Sequence, residues 1–173
     1  AGGGVNGAGA NAAGAREQRL IKCWLTHDAR WFNVVAREFG MATANRLNQA
    51  AVREAAKVEA QRVGRALGLA APQDAAGCLQ AQKALIGVLG PDLLDYEAQA
   101  EGPDSYRIHV KRCFAHDNVA KAGIAAQYDC GIFARVEGWM DGMGLRHEIA
   151  PPLKGCLMAQ GKECVHTIHV NPI

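Results

Sequence analysis

Five residues in the last third of the chain have types that can do chemistry: Cys113, Cys130, Cys156, Cys164 and His166. Their spacing is Cys-x16-Cys-x25-Cys-x7-Cys-x-His. Thiolates are soft ligands that select zinc, copper(I) or iron–sulfur clusters, and a structural zinc takes four thiolates or a mixture of thiolate and imidazole. These intervals are far longer than those of a Cys-x-x-Cys knuckle. Three readings therefore stay open: a metal centre, small buried core thiols, or a catalytic or redox cysteine. If four thiolates do meet, zinc and a [4Fe–4S] cluster are both compatible with the ligand types. The chain has no Gly-rich phosphate loop with its Lys and Ser/Thr, no HExxH and no GxSxG.

A second segment, Cys23 to Phe32, places Trp24, His27, Asp28 and Trp31 at i, i+3, i+4 and i+7, one stripe of a helix. Two indoles can stack on a planar ring, and the His27 imidazole can hydrogen-bond or move a proton. The plainer account is a helix packed through its tryptophans, with His27 satisfied by a carbonyl or carboxylate. Trp139 sits on the helix beginning at Cys130, together with Glu137, and is a further candidate for a cavity wall. His109 alternates with Arg107, Lys111 and Cys113 on one strand face, which reads as a solvated polar face.

The elements that must position these residues change character halfway along. Leu20, Trp24, Trp31, Val35 and Phe39 recur at helical spacing, so a helix is expected over 17–39, with Gly40 as its stop. Thr43 is the expected cap of a second, Ala-rich helix to Leu67, closed by Gly68 and Pro72. Asp74 is the expected cap of a third, ended by Gly90-Pro91. Beyond Pro91, segments 94–100 and 106–113 flank the turn cluster Gly102-Pro103-Asp104-Ser105 and read as a hairpin. Short helices are expected at 116–122 and 130–143. Two more strands are expected within 145–170, with Cys164, His166, Ile168 and Val170 on one side of the last. Helices first and an antiparallel sheet second make an α+β domain.

Its expected parts are a flexible Gly/Ala tail over 1–15, a helical part over 16–90 and an α+β part over 91–173, together one compact domain. Hydrophobic content of 49% and charged content of 21% are ordinary for a globular protein. A net charge of +2 from dispersed basic residues argues against a nucleic-acid partner. No apolar run is long enough to span a bilayer, so no membrane partner is expected. The Gly/Ala-rich start lacks the basic and apolar regions of a signal peptide, which makes a reducing, cytoplasmic location the expectation. There, six cysteines read as thiols or metal ligands rather than as a disulfide framework.

The stretch from Tyr106 to Val170 resembles the four-vinyl-reductase type of small-molecule-binding domain. The resemblance rests on Cys130 at a helix start, Gly138-Trp139-x2-Gly142 after it, and Cys156-x7-Cys164 before the last strand. It implies zinc on Cys130, Cys156 and Cys164. The family's acidic ligand shortly before the second cysteine is missing here, where Pro151, Pro152 and Leu153 stand. Cys113, His166, Glu148 and His147 are the candidates for the fourth position.

From about Arg16 the chain is similar to L-2-amino-thiazoline-4-carboxylic acid hydrolase-like proteins. It shares an N-terminal helical part, a strand ending in Cys113, a Cys with an adjacent Asp (here Asp129-Cys130, the order reversed), and Gly161-Lys-Glu-Cys164. That similarity implies hydrolysis of a C–N bond in a small, ring-containing amide-like substrate, with His27 or His166 moving protons. The sensor-like resemblance implies instead a non-catalytic module that binds a small molecule beside a structural zinc. An iron–sulfur accessory protein is the third possibility. A homodimer is expected from the resemblance and from the exposed hairpin edges.

Overall fold

The structure is a computed structural model that describes residues 6–172 except Ala70 and Pro91. The first five residues of the expected tail, and the expected boundary at Pro91, lie outside the described residues. It is a mixed α+β fold: a helical N-terminal part, then a four-stranded antiparallel sheet with helices between its strands.

Helix α1 runs over Asn6–Phe39, α2 over Met41–Leu67 and α3 over Ala75–Leu89. The expected tail therefore turns helical from Asn6 onward. Alanine is the best helix former, and a long helix already nucleated at 17–39 propagates back through isolated glycines at about 1 kcal/mol each. Gly40, with φ of +84°, separates α1 from α2, so α2 starts two residues before the Thr43 expected to cap it. Asp74 does cap α3, its side chain accepting from Gly77 N at 2.8 Å.

Strands β1 (Leu94–Ala100), β2 (Ser105–Cys113), β3 (Leu145–Ala150) and β4 (Cys164–Pro172) form one sheet in the order β1-β2-β4-β3. Helices α4 (Phe114–Lys121) and α5 (Gly131–Gly142) lie between β2 and β3 in the chain. On the inner face Ile108 pairs with His166 and Tyr106 with Ile168, which also faces Ile149. These join α3 and α5 side chains, notably Leu85, Phe133 and Met140, in the main core. The outer face is polar, and Arg107 pairs there with Glu101 at 3.1 Å.

Helix α2 packs on α5 at unusually close range. A Cβ at Gly138 would lie 2.3 Å from the Arg53 carbonyl oxygen and 2.6 Å from Ala56 Cβ. Only glycine lets two helix backbones meet there. Around this contact Arg53 pairs with Asp141 through Nε at 2.7 Å and through a second guanidinium nitrogen at 3.2 Å.

Candidate metal centre and apolar cavity

Strict alternation along β2 would put Cys113 on the face of Arg107, His109 and Lys111. The structure corrects this. Asp95 pairs with Arg112 and Tyr96 with Val110, which leaves Lys111 as an extra, unpaired residue. This β-bulge inverts the parity of the two residues after it. Cys113 therefore turns inward to the side of Tyr106, Ile108 and Val110 and is buried.

Cys164 begins β4, two residues before His166 and on the same inward face. Cys130 and Cys113 are the N-cap residues of α5 and α4. Cys156 lies in the loop between β3 and β4, just before a single 3₁₀ turn, Met158–Gln160. All four thiols, with His116 and His166, line one cavity of about 20 Å³. That is little more than a single water needs.

Polar ties from α2 hold the two loop-borne cysteines in place. Asn45 donates to the Gln127 carbonyl at 2.7 Å and accepts from Asp129 N at 3.1 Å. One turn on, Gln49 donates to the carbonyls of Cys130 at 3.2 Å and Leu153 at 3.4 Å. The Asp129 carboxylate accepts from Gly155 N at 2.7 Å, next to Cys156. Asn45 and Gln49 escaped the sequence reading. Their signal was a pair of amides at i, i+4 on a helix otherwise faced with alanine.

Burial is the main electrostatic influence on these sulfurs. It pushes the Cys130 thiol up to about 12, with the Cys113 and Cys164 sulfurs adding to the rise and nearby backbone N–H groups opposing it. Cys164 rises to about 12 from burial and then from the neighbouring Cys113 and Cys156. Cys113 is raised by burial, in part against the N–H groups of His116 and Ala115. Neither N-cap sulfur closes a cap hydrogen bond. Each of these three thiols thus feels its neighbours across the cavity and is held protonated at neutral pH. Among the described residues, no group of three or more His, Cys, Asp or Glu side chains is arranged to hold a metal ion.

His166 is 3% exposed, and its ring lies 3.9 Å, centroid to centroid, from that of Phe133. Burial lowers its pKa to about 4, with the nearby Pro151 backbone opposing the shift. Its Nδ1 has no partner among the described residues. The other ligand candidates lie elsewhere. Glu148 is exposed on the outer sheet face opposite His169, and His147 Nδ1 sits 3.9 Å from Asp141. Cys23 is exposed, whereas Cys78 is buried in α3, where burial pushes it up to about 11.

The aromatic stripe of α1 does not face one site. Trp24 lines an apolar cavity of about 50 Å³ between α1, α3, α5 and the sheet, together with Trp139, Ile108 and Val136. His27 is exposed beside Asp28 at 3.4 Å, and Trp31 is 41% exposed. A second cavity of about 160 Å³ lies against α4. Leu25, Phe114, Ile132 and Arg135 line both, so the two are adjoining lobes with a shared wall. Arg135 stands at their junction, with its guanidinium carbon 5.1 Å from the Trp24 ring centre. It pairs with Glu59, whose other oxygen accepts from Trp139 Nε1 at 3.0 Å. Arg135 and Glu59 were also missed, since nothing in a lone Arg and a distant Glu signals that they meet.

No helix among the described residues is long and apolar enough to cross a membrane. No curated protein matches the chain. Residues 17–138, from the aromatic stripe through most of α5 and including Cys113 and Cys130, match the family of unknown function DUF6125, and the chain belongs to that family.

Proposed function

We propose that this protein is a small-molecule-binding module in which one thiolate-bound metal ion, zinc, clamps the junction of sheet, loop and helices. One observation carries the reading: four cysteines distant in sequence line a single cavity of about 20 Å³. Cys113, Cys130, Cys156 and Cys164 would hold the ion. The donor set fits, since thiolates are the soft ligands zinc takes in structural sites. Each cysteine has a single side-chain torsion through which its sulfur can turn. A bound dication supplies the positive charge that lets buried thiols give up their protons.

A closed four-thiolate site takes zinc or a [4Fe–4S] cluster, and the resemblance to a zinc-binding domain supports zinc. The arrangement also supports binding over hydrolysis. Four protein donors fill a tetrahedral zinc site and leave no position for a reacting water. His27 points to solvent, and His166 faces the thiols rather than the apolar lobes. Those lobes are lined mainly by hydrocarbon and indole, the usual character of a ligand pocket.

Elemental analysis of the purified protein tests the reading, with one equivalent of zinc in a colourless sample expected. Cys164→Ala should release the metal and lower the melting temperature, because structural metal binding is also folding free energy. A metal-free wild type, or a variant with unchanged metal and melting curve, would refute the assignment.

A further inference from the structure

Four thiols and two imidazoles border the cysteine cavity, and a tetrahedral site has only four positions. His166 has the features of a ligand rather than of a core histidine. It is 3% exposed, it lines the cavity, and its Nδ1 has no partner among the described residues. A buried nitrogen left without a partner costs about 1–3 kcal/mol, so an isolated core histidine would be a liability there. An unpartnered imidazole nitrogen bordering thiols is a donor that a soft metal ion takes. The Phe133 ring, at 37° to the imidazole, fixes its plane.

Position on the strand agrees. Cys164 and His166 lie two apart on β4 and face the same side, opposite Val110 and Ile108 of β2. His116, the other histidine on the cavity, has its Nδ1 3.4 Å from Asp117 and a side chain 25% exposed. It has neither the burial nor the orphaned nitrogen. Among the four thiols, Cys113, Cys130 and Cys164 pack with the main core. Cys156 packs instead on the second cluster, formed by Phe32, Val35, Ala44 and Tyr128.

We infer that His166 Nδ1 is a metal ligand, completing a three-thiolate, one-imidazole centre with Cys113, Cys130 and Cys164 and leaving Cys156 as an uncoordinated thiol. This rests on the proposed zinc site and revises its fourth ligand.

Cobalt(II) exchanged into the wild-type protein tests it, because the sulfur-to-cobalt charge-transfer absorbance scales with the number of bound thiolates. Three thiolates are expected. Cys156→Ser should keep the metal and the spectrum. His166→Gln should weaken zinc binding by more than the roughly 10–100-fold that loss of an outer-shell partner costs. A four-thiolate spectrum in the wild type, or one unchanged by His166→Gln and abolished by Cys156→Ser, overturns the inference while leaving the metal site standing. Failure of the wild type to bind zinc or cobalt at all overturns the proposed function itself. The wild-type spectrum decides the ligand count even where a variant does not fold.

Discussion

Gly138→Ala should destabilise the protein through the contact between α2 and α5. The added Cβ would meet the Arg53 carbonyl oxygen at 2.3 Å, Ala56 Cβ at 2.6 Å and Arg53 Cα at 2.9 Å. Ordinary contact begins at 3.4 Å, so the helices must part by about 1 Å to admit it. A gap of roughly 0.5–1 Å forfeits a quarter to a half of each dispersion contact along the interface. Overpacking of this kind costs about 1–3 kcal/mol, and more where backbone rather than a flexible side chain must yield. Against that stands about 1 kcal/mol of better helix propensity for alanine. The expected net loss is about 2 kcal/mol, which in a chain of this length lowers the melting temperature by about 4–8 °C. Gly87→Ala in α3 is the control. None of the described atoms lies within 4 Å of its added Cβ, so only propensity acts and a gain of about 0.4–1 kcal/mol is expected. Thermal unfolding followed by circular dichroism reads both. A Gly138→Ala protein as stable as the wild type would show that the two helices do not depend on this approach. The stakes extend to the site, because α5 carries Cys130 at its start and Arg135 and Trp139 along its length.

Three further outcomes are expected. Tyr106 is fully buried and donates to Gln82 Oε1 at 2.8 Å, so Tyr106→Phe should cost about 1–3 kcal/mol by leaving that oxygen unpaired; an unchanged urea midpoint would contradict it. Hydrogen bonding to Arg53, with its charge, holds the Asp141 carboxyl below its ordinary value. Its stabilisation is therefore complete above the unfolded-state pKa of about 3.9 and is lost as pH falls through the lower folded value. Arg53→Met should flatten the acid limb of the stability curve, and an identical acid limb in wild type and variant would dismiss the pair. Leu25 lines both apolar lobes and not the thiol cavity, so Leu25→Trp should weaken binding of an apolar fluorescent probe by at least about tenfold with metal content unchanged. Undiminished probe binding would place the ligand elsewhere.

The helices and strands were legible because their signals are local. Asp74 three residues before Gly77, the turn at 102–105 and the alternation of Cys164, His166, Ile168 and Val170 each act within a few residues, and the structure has all three. Positions fixed by distant parts of the chain were not legible. The side on which Cys113 falls depends on how β1 pairs with β2, which no pattern inside β2 reveals. The stripe of Trp24, His27 and Trp31 is real as a helical spacing, but α1 turns only Trp24 and its neighbour Leu25 toward the lobe beside the sheet. The ties of Asn45 and Gln49 span about eighty residues, and hydrogen bonds over such separations leave no periodic trace.

The extra residue at Lys111 makes the chemistry of the chain sensitive to insertion and deletion rather than to substitution alone. An added residue in β1 between Asp95 and Tyr96 would give Lys111 a partner, restore unbroken pleating and rotate Cys113 out into water. A sheltered sulfur would become a surface nucleophile open to oxidation, without any change in which amino acids β2 itself contains. Relatives aligned by their cysteines but differing by one residue in either of these strands should therefore be compared by pairing register first and by motif second.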